Sequence, residues 1–171
     1  MRLHQLIIGA IFASALLTGA PSYGAIQQDE STAVIFVYQR VGEDSVPQGN
    51  ISLDQFKPHM TALTNAGYSV MPLPKLIDAL KNDNDLPPKT VGITFEGAYQ
   101  ATIAAVQPLL EEAKLPFTIF FAADMADGAT PAHMNWDQIK KLKKNKLVSL
   151  GILPAAYDHM VDQTVEQNSA I

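Results

Sequence analysis

The chain has 171 residues, 47% of them hydrophobic, no cysteine, and a formal net charge of −5. The absence of cysteine excludes a disulfide framework and a cysteine-anchored lipoprotein, and the acidic balance disfavours a nucleic-acid partner held by phosphate neutralisation. The length suits one domain with a real core.

In chain order, the first segment reads as an export signal. Arg2 gives a positive start, Leu6 to Leu17 form an apolar run, and Ser22-Tyr23-Gly24 supplies small residues at a cleavage site. The run falls short of the roughly 20 apolar residues of a membrane span. Residues 1–24 are therefore assigned to a signal peptide and 25–171 to the mature domain, exported to the periplasm or beyond the cell and free of the membrane after cleavage. Removal of Arg2 takes the charge from −5 to −6.

Thr32 to Tyr38 is β-branched and aromatic without polar interruption, which predicts a strand covered on both faces. Ser52-Leu53-Asp54-Gln55 forms a capping box for a helix with Leu53, Phe56, Met60 and Leu63 on one face, ended by Gly67. Tyr68 to Met71 is a short strand. Pro74 suits the first turn of a helix that turns Leu76, Ile77 and Leu80 inward. Asn82 to Pro88 is a loop, and its proline pair forces an extended approach to a strand over Thr90 to Phe95.

A helix is predicted from about Tyr99 to Lys114, kinked or divided by Pro108. Pro116 to Phe121 is a strand, Ala122 to Ala132 a loop, Asn135 with Gln138 the start of a capped helix, and Leu147 to Leu150 a further strand. Strand–helix alternation predicts an α/β fold of parallel strands alternating with helices, either open or closed into a barrel.

The motif with chemical content is Thr94-Phe95-Glu96-Gly97-Ala98-Tyr99, placed at the end of an apolar strand. It resembles Thr-Phe-Asp-Asp-Gly-Tyr of the polysaccharide deacetylases, the NodB-like carbohydrate esterase family four. Further stretches follow that family in order: Tyr38-Gln39-Arg40-Val41, Gly67-Tyr68-Ser69-Val70, Leu86-Pro87-Pro88-Lys89, Pro108-Leu109-Leu110, Pro116 to Phe121, and Met134-Asn135-Trp136. The resemblance covers roughly Ala33 to His159. It implies a partial (β/α) deacetylase barrel.

In that family the first Asp is the general base, the second binds a divalent metal, and a His-Ser/Thr-x-x-His motif completes the site. By resemblance Glu96 takes the place of the base and Gly97 that of the metal-binding Asp, while Leu153 and Tyr157 stand where the two histidines belong. Asp158 and His159 are the remaining donors in the matched regions, and by default they are solvated. A catalytic zinc needs about three protein ligands and an open position for water.

An enzyme lowers its barrier by about 8–23 kcal/mol, whereas a positioned base alone contributes roughly 10²–10⁴-fold. The resemblance therefore implies an exported deacetylase-like protein, from a family that hydrolyses acetyl groups from carbohydrate and acts on carbon–nitrogen non-peptide bonds. Its metal triad is missing, its catalysis impaired, and its role that of a glycan-binding or accessory domain. No cofactor is expected. Zinc or another divalent metal enters only with the alternative, an active deacetylase using Glu96 and an atypical metal site.

The expected partner is a cell-envelope polysaccharide or oligosaccharide. The family barrel continues beyond the second motif, so the chain ending at Ile171 reads either as a piece of a longer protein or as a domain whose last strand a protein partner covers. Trp136 and Tyr38 are candidates for stacking on sugar rings or for the core. Lys140, Lys141, Lys143, Lys144 and Lys146 could meet an anionic glycan or simply favour a helix end. His59 and His133 have no paired acid or nucleophile in the sequence pattern.

Overall fold

The computed structural model describes residues 32–45 and 49–154. The segment read as a signal peptide, together with Tyr157, Asp158 and His159, lies outside the described residues. The elements are β1 (Ala33–Tyr38), β2 (Arg40–Val41), β3 (Asn50–Ile51), α1 (Leu53–Asn65), β4 (Ser69–Val70), α2 (Leu73–Lys81), β5 (Thr90–Glu96), α3 (Gln100–Glu112), β6 (Phe117–Ala122), a π-helical turn (Met125–Ala129), α4 (Trp136–Leu142) and β7 (Val148–Leu153).

The main sheet is parallel and runs β1-β5-β6-β7, with β4 paired to the start of β5 through Ser69↔Thr90 and Val70↔Val91. Among the described residues it is open, a partial barrel rather than a closed one. β2 and β3 form a separate parallel pair that the sequence pattern did not announce.

Register assigns the two faces of the sheet. Phe95 lies opposite Tyr38 and Ile119, and Ile119 opposite Leu150, so these residues share one face. Helices α1, α3 and α4 cover it: Phe56, Met60 and Leu63, then Ile103, Val106 and Leu110, then Ile139 and Leu142 join Val91, Ile93, Phe95, Phe117 and Ile119 in the core. The Tyr38, Phe56, Phe95 and Phe117 rings pack at centroid separations of 5.2–5.9 Å between Tyr38 and Phe56, Tyr38 and Phe95, and Phe95 and Phe117. Tyr38 is thus a core residue.

The opposite face carries Gly92, Thr94 and Glu96. A Cβ at Gly92 would lie 3.6–3.7 Å from Ile35, Leu76 and Leu73, which sets α2 against this face.

Local signals produced the helix ends. Ser52 and Gln55 exchange both bonds of a capping box, as do Asn135 and Gln138. Gly67 adopts φ +70 just past the α1 cap, and Pro74 sits in the first turn of α2.

Three expectations need correction and a fourth is narrowed. β1 is not covered on both faces: Val34, Ile35, Phe36 and Val37 are 37–58% exposed, because β1 is the sheet edge and the helices reach only its Tyr38 end. On α2, Leu76 is buried while Ile77 and Leu80 are exposed, since the helix touches the sheet along a narrow line. Of the two outcomes expected at Pro108, division is not realised: α3 runs through it, and the carbonyl its ring leaves without an N–H partner belongs to Ala104, an exposed residue. Finally, the segment Ala122 to Ala132 is not all loop but contains the π-helical turn, with Asp124 accepting from the Met125 amide at 3.0 Å and Gly128 at φ +91.

Candidate functional site at the strand ends

The C-terminal ends of parallel strands form the rim on which α/β sites are built. Here β5 delivers Thr94-Phe95-Glu96 to that rim. Thr94 is buried and donates its hydroxyl to the Phe36 carbonyl of β1 at 3.1 Å, and Phe95 is locked in the aromatic core. Glu96, part-buried, points to the face opposite the core.

The next two residues reverse the chain through the left-handed region: Gly97 at φ +89 and Ala98 at φ +47. Only glycine occupies that region without steric cost. Gly97 is therefore a turn glycine, as its residue type implies. Ala98, which stands where the family motif carries glycine, holds its strained conformation while buried, and its carbonyl accepts from the Met134 amide at 3.0 Å.

Gly97 also fails the test of fit for a metal ligand. A Cβ built there would lie 2.5 Å from one carbon of the Tyr99 ring and 3.0–3.1 Å from two others. The position thus lacks both a ligating side chain and room for one.

Tyr99 is itself clamped. The Arg40 guanidinium lies 3.6 Å from its ring centroid, the His133 ring 4.5 Å, and Tyr99 and His133 form an isolated antiparallel bridge. His133 is buried and bonds the Thr130 hydroxyl through Nδ1. Gln100 ties the same loop down by donating to the carbonyls of Pro131 at 3.1 Å and His133 at 2.7 Å.

Behind Arg40 runs a network that the sequence did not announce. Arg40 donates to Glu43 at 2.7 Å, the Thr102 hydroxyl donates to the other Glu43 oxygen at 2.7 Å, and the Val41 amide donates to Thr102 at 3.0 Å. The Glu43 amide in turn donates to Asn50 at 3.1 Å. The only local hint was the Arg40–Glu43 charge pair; Thr102 lies far along the chain.

Register places the other motif positions. Glu96 lies opposite Phe120, Phe120 opposite Gly151, and Ala122 opposite Leu153. Leu153 therefore shares the face of Glu96, at the end of β7. It is a buried leucine. Among the described residues no three of His, Cys, Asp and Glu converge as a metal site would require.

The remaining candidates separate. His59 pairs with the Tyr38 hydroxyl at 3.2 Å, and burial pushes that hydroxyl above the ordinary tyrosine range. Trp136 is 37% exposed at the start of α4; its indole N–H donates to Asp127 at 2.6 Å and its ring meets Phe121 edge-on at 5.4 Å. No helix among the described residues is long and apolar enough to cross a membrane.

Comparison with known proteins agrees with this geometry. A de-N-acetylase from Aggregatibacter actinomycetemcomitans superposes with a TM-score of 0.61 at 22% identity, covering 70% of this chain and 53% of that one. The Streptococcus pyogenes deacetylase PplD, solved with acetate, gives 0.60 at 17%, covering 71% and 55%. IcaB from Ammonifex degensii gives 0.59 at 24%, covering 70% and 52%. These likenesses establish a shared fold, and the chain spans about half the length of the structures it matches. No curated protein matches the chain. The family model described as polysaccharide deacetylase matches residues 83–170, more than half of the sequence and inclusive of the β5 motif and Leu153. With fold, motif order and family match in agreement, the chain belongs to the polysaccharide deacetylase family.

Proposed function

We propose that this protein is an exported member of the polysaccharide deacetylase family that binds a cell-envelope glycan, or supports another protein that acts on one, without metal-dependent turnover. The observation that carries this reading is the Gly97 turn, where the family's metal-binding acid is replaced by a glycine whose side-chain space the clamped Tyr99 ring fills. Leu153 in place of a histidine adds to it. Glu96 remains at the position of the family's base, and misplacing a carboxylate by about 1 Å, as its extra methylene does, can cost 10²-fold.

Trp136, half-exposed at the same end of the sheet, supplies an aromatic surface for a sugar ring. Export rests on the Arg2 to Gly24 signal pattern. The exposed β1 edge and the β7 edge are where a protein partner or a further segment would pair.

Isothermal titration of the mature chain with acetylated and deacetylated glycan oligomers tests the reading. Binding without acetate release is expected, with weaker binding in Trp136→Ala. Failure of every oligomer to bind removes the glycan role. The competing reading, an active deacetylase, is favoured by the retained Glu96; it requires stoichiometric zinc or cobalt and acetate release that disappears in Glu96→Gln.

A further inference from the structure

A groove of about 390 Å³ runs between α3 and α4, lined by Gln100, Ile103, Gln107, Met134, Gln138 and Lys141 together with Ala104 and Leu142. Its floor is apolar, since Ile103, Met134 and Leu142 are buried core residues. Its walls are three amides and one ammonium; the amides are tied to their neighbours, Gln138 donating to Gln100 at 2.9 Å and accepting from the Asn135 amide at 2.8 Å, and Gln107 donating to Glu111 at 2.7 Å, so Lys141 is the charged group of the wall. No carboxylate lines it, although the chain as a whole is acidic.

Two acids stand near. Glu111 is held by the amides of Gln107 at 2.7 Å and Asn145 at 2.6 Å, and Asp137 reaches Lys140 at 3.7 Å across two highly exposed side chains. Glu112 lies on a separate groove facing α1.

Lys141, on the wall of the groove, belongs to a basic run. Five of the 12 Lys and Arg residues of the chain fall within Lys140 to Lys146, and all five are exposed. A favourable interaction with the helix dipole accounts for Lys140 and Lys141 in the last turn of α4. It does not account for Lys144 and Lys146, which stand past the Lys143 cap. Concentrating cations beside an amide-walled trough raises the local positive potential on an otherwise negative protein. Gln100, which lines the groove, directly follows Tyr99 in the chain, but Tyr99 itself does not line it.

We propose that the α3–α4 groove with its lysine run binds an anionic segment of polysaccharide, its apolar floor meeting a sugar face and its lysines meeting carboxylate or phosphate substituents. The proposal rests on the reading of the chain as a glycan-binding protein but uses a different surface from the strand-end turn. An anionic membrane would meet the lysines but leave the amide-walled trough unused.

The test is titration of the mature chain with a galacturonate hexamer, a neutral N-acetylglucosamine hexamer and phosphatidylglycerol vesicles. The galacturonate hexamer is expected to bind, with affinity falling as salt rises from about 50 to about 500 mM. The triple variant Lys141→Gln, Lys144→Gln, Lys146→Gln should lose roughly tenfold or more of that affinity while keeping the wild-type circular dichroism and the neutral-hexamer affinity. The proposal is overturned if galacturonate does not bind, if the triple variant binds it as the parent does, or if vesicles alone bind. Neutral-hexamer binding with no galacturonate binding would sink the groove and keep the strand-end reading. Galacturonate binding alone would do the reverse.

Discussion

Strands β1 and β5 are hydrogen-bonded neighbours from Ala33↔Thr90 to Tyr38↔Phe95, both begin as apolar runs, and they occupy opposite environments. β5 is buried at six successive positions, whereas β1 exposes four large apolar side chains to solvent. Each strand's composition is that of a buried parallel strand. What separates them is the number of neighbours: β5 has β1 on one side with β4 and β6 elsewhere along its length, and helices over both faces, while among the described residues β1 has β5 alone. An apolar run announces a strand without announcing where in the sheet it lies.

The largest expected effect breaks that comparison directly. Phe95→Ala, at a ring 1% exposed, should cost about 3–5 kcal/mol, and Phe36→Ala on β1 less than about 1.5 kcal/mol, both read by urea denaturation. Similar losses at the two sites would mean that β1 is covered in solution, and would point to association through its edge.

Next comes the network joining the end of β1 to α3. Thr102→Val strands the Val41 amide and one Glu43 oxygen, a loss of about 1–3 kcal/mol. Combined with Glu43→Gln it should be less than additive, because the two residues share one hydrogen bond. Full additivity in a double-mutant cycle would dissolve the network.

Restoring the family's acid addresses the strand-end turn. Gly97→Asp places a side chain at φ +89 against the Tyr99 ring and should destabilise by about 1–2 kcal/mol. The melting temperature of that variant should not respond to zinc. A zinc-dependent rise would show that Tyr99 yields and that a metal site is recoverable.

The smallest effect contrasts that turn with a left-handed position of the opposite kind. Lys114, exposed at φ +54 just past α3, adopts a conformation that glycine takes freely, so Lys114→Gly should stabilise by about 0.5–1 kcal/mol in the same denaturation assay. Destabilisation would indicate that the Lys114 side chain contributes packing that outweighs its backbone strain.

Much of the fold was legible because its signals are local. Both capping boxes, the Gly67 stop, Pro74 in the first turn of α2 and the apolar stripe of α1 act within a few residues of chain, so the pattern alone locates them. The motif at Thr94 to Tyr99 was likewise readable. Ile77 and Leu80 were misjudged because helical periodicity identifies an apolar face without saying how wide a surface it meets.

The sequence by itself determined the alternation of strands and helices, the family motif and the presence of non-ligating residues at Gly97 and Leu153, since residue type and short-range spacing are sufficient for these. Only the tertiary structure decided that Leu153 shares a face with Glu96, that Tyr99 under Arg40 and His133 fills the space beside Gly97, and that β1 is an edge strand among the described residues. Each of these depends on register or on contact between residues distant in the chain. Such contacts are selected by the summed packing of the whole domain, and no short stretch of sequence encodes that sum.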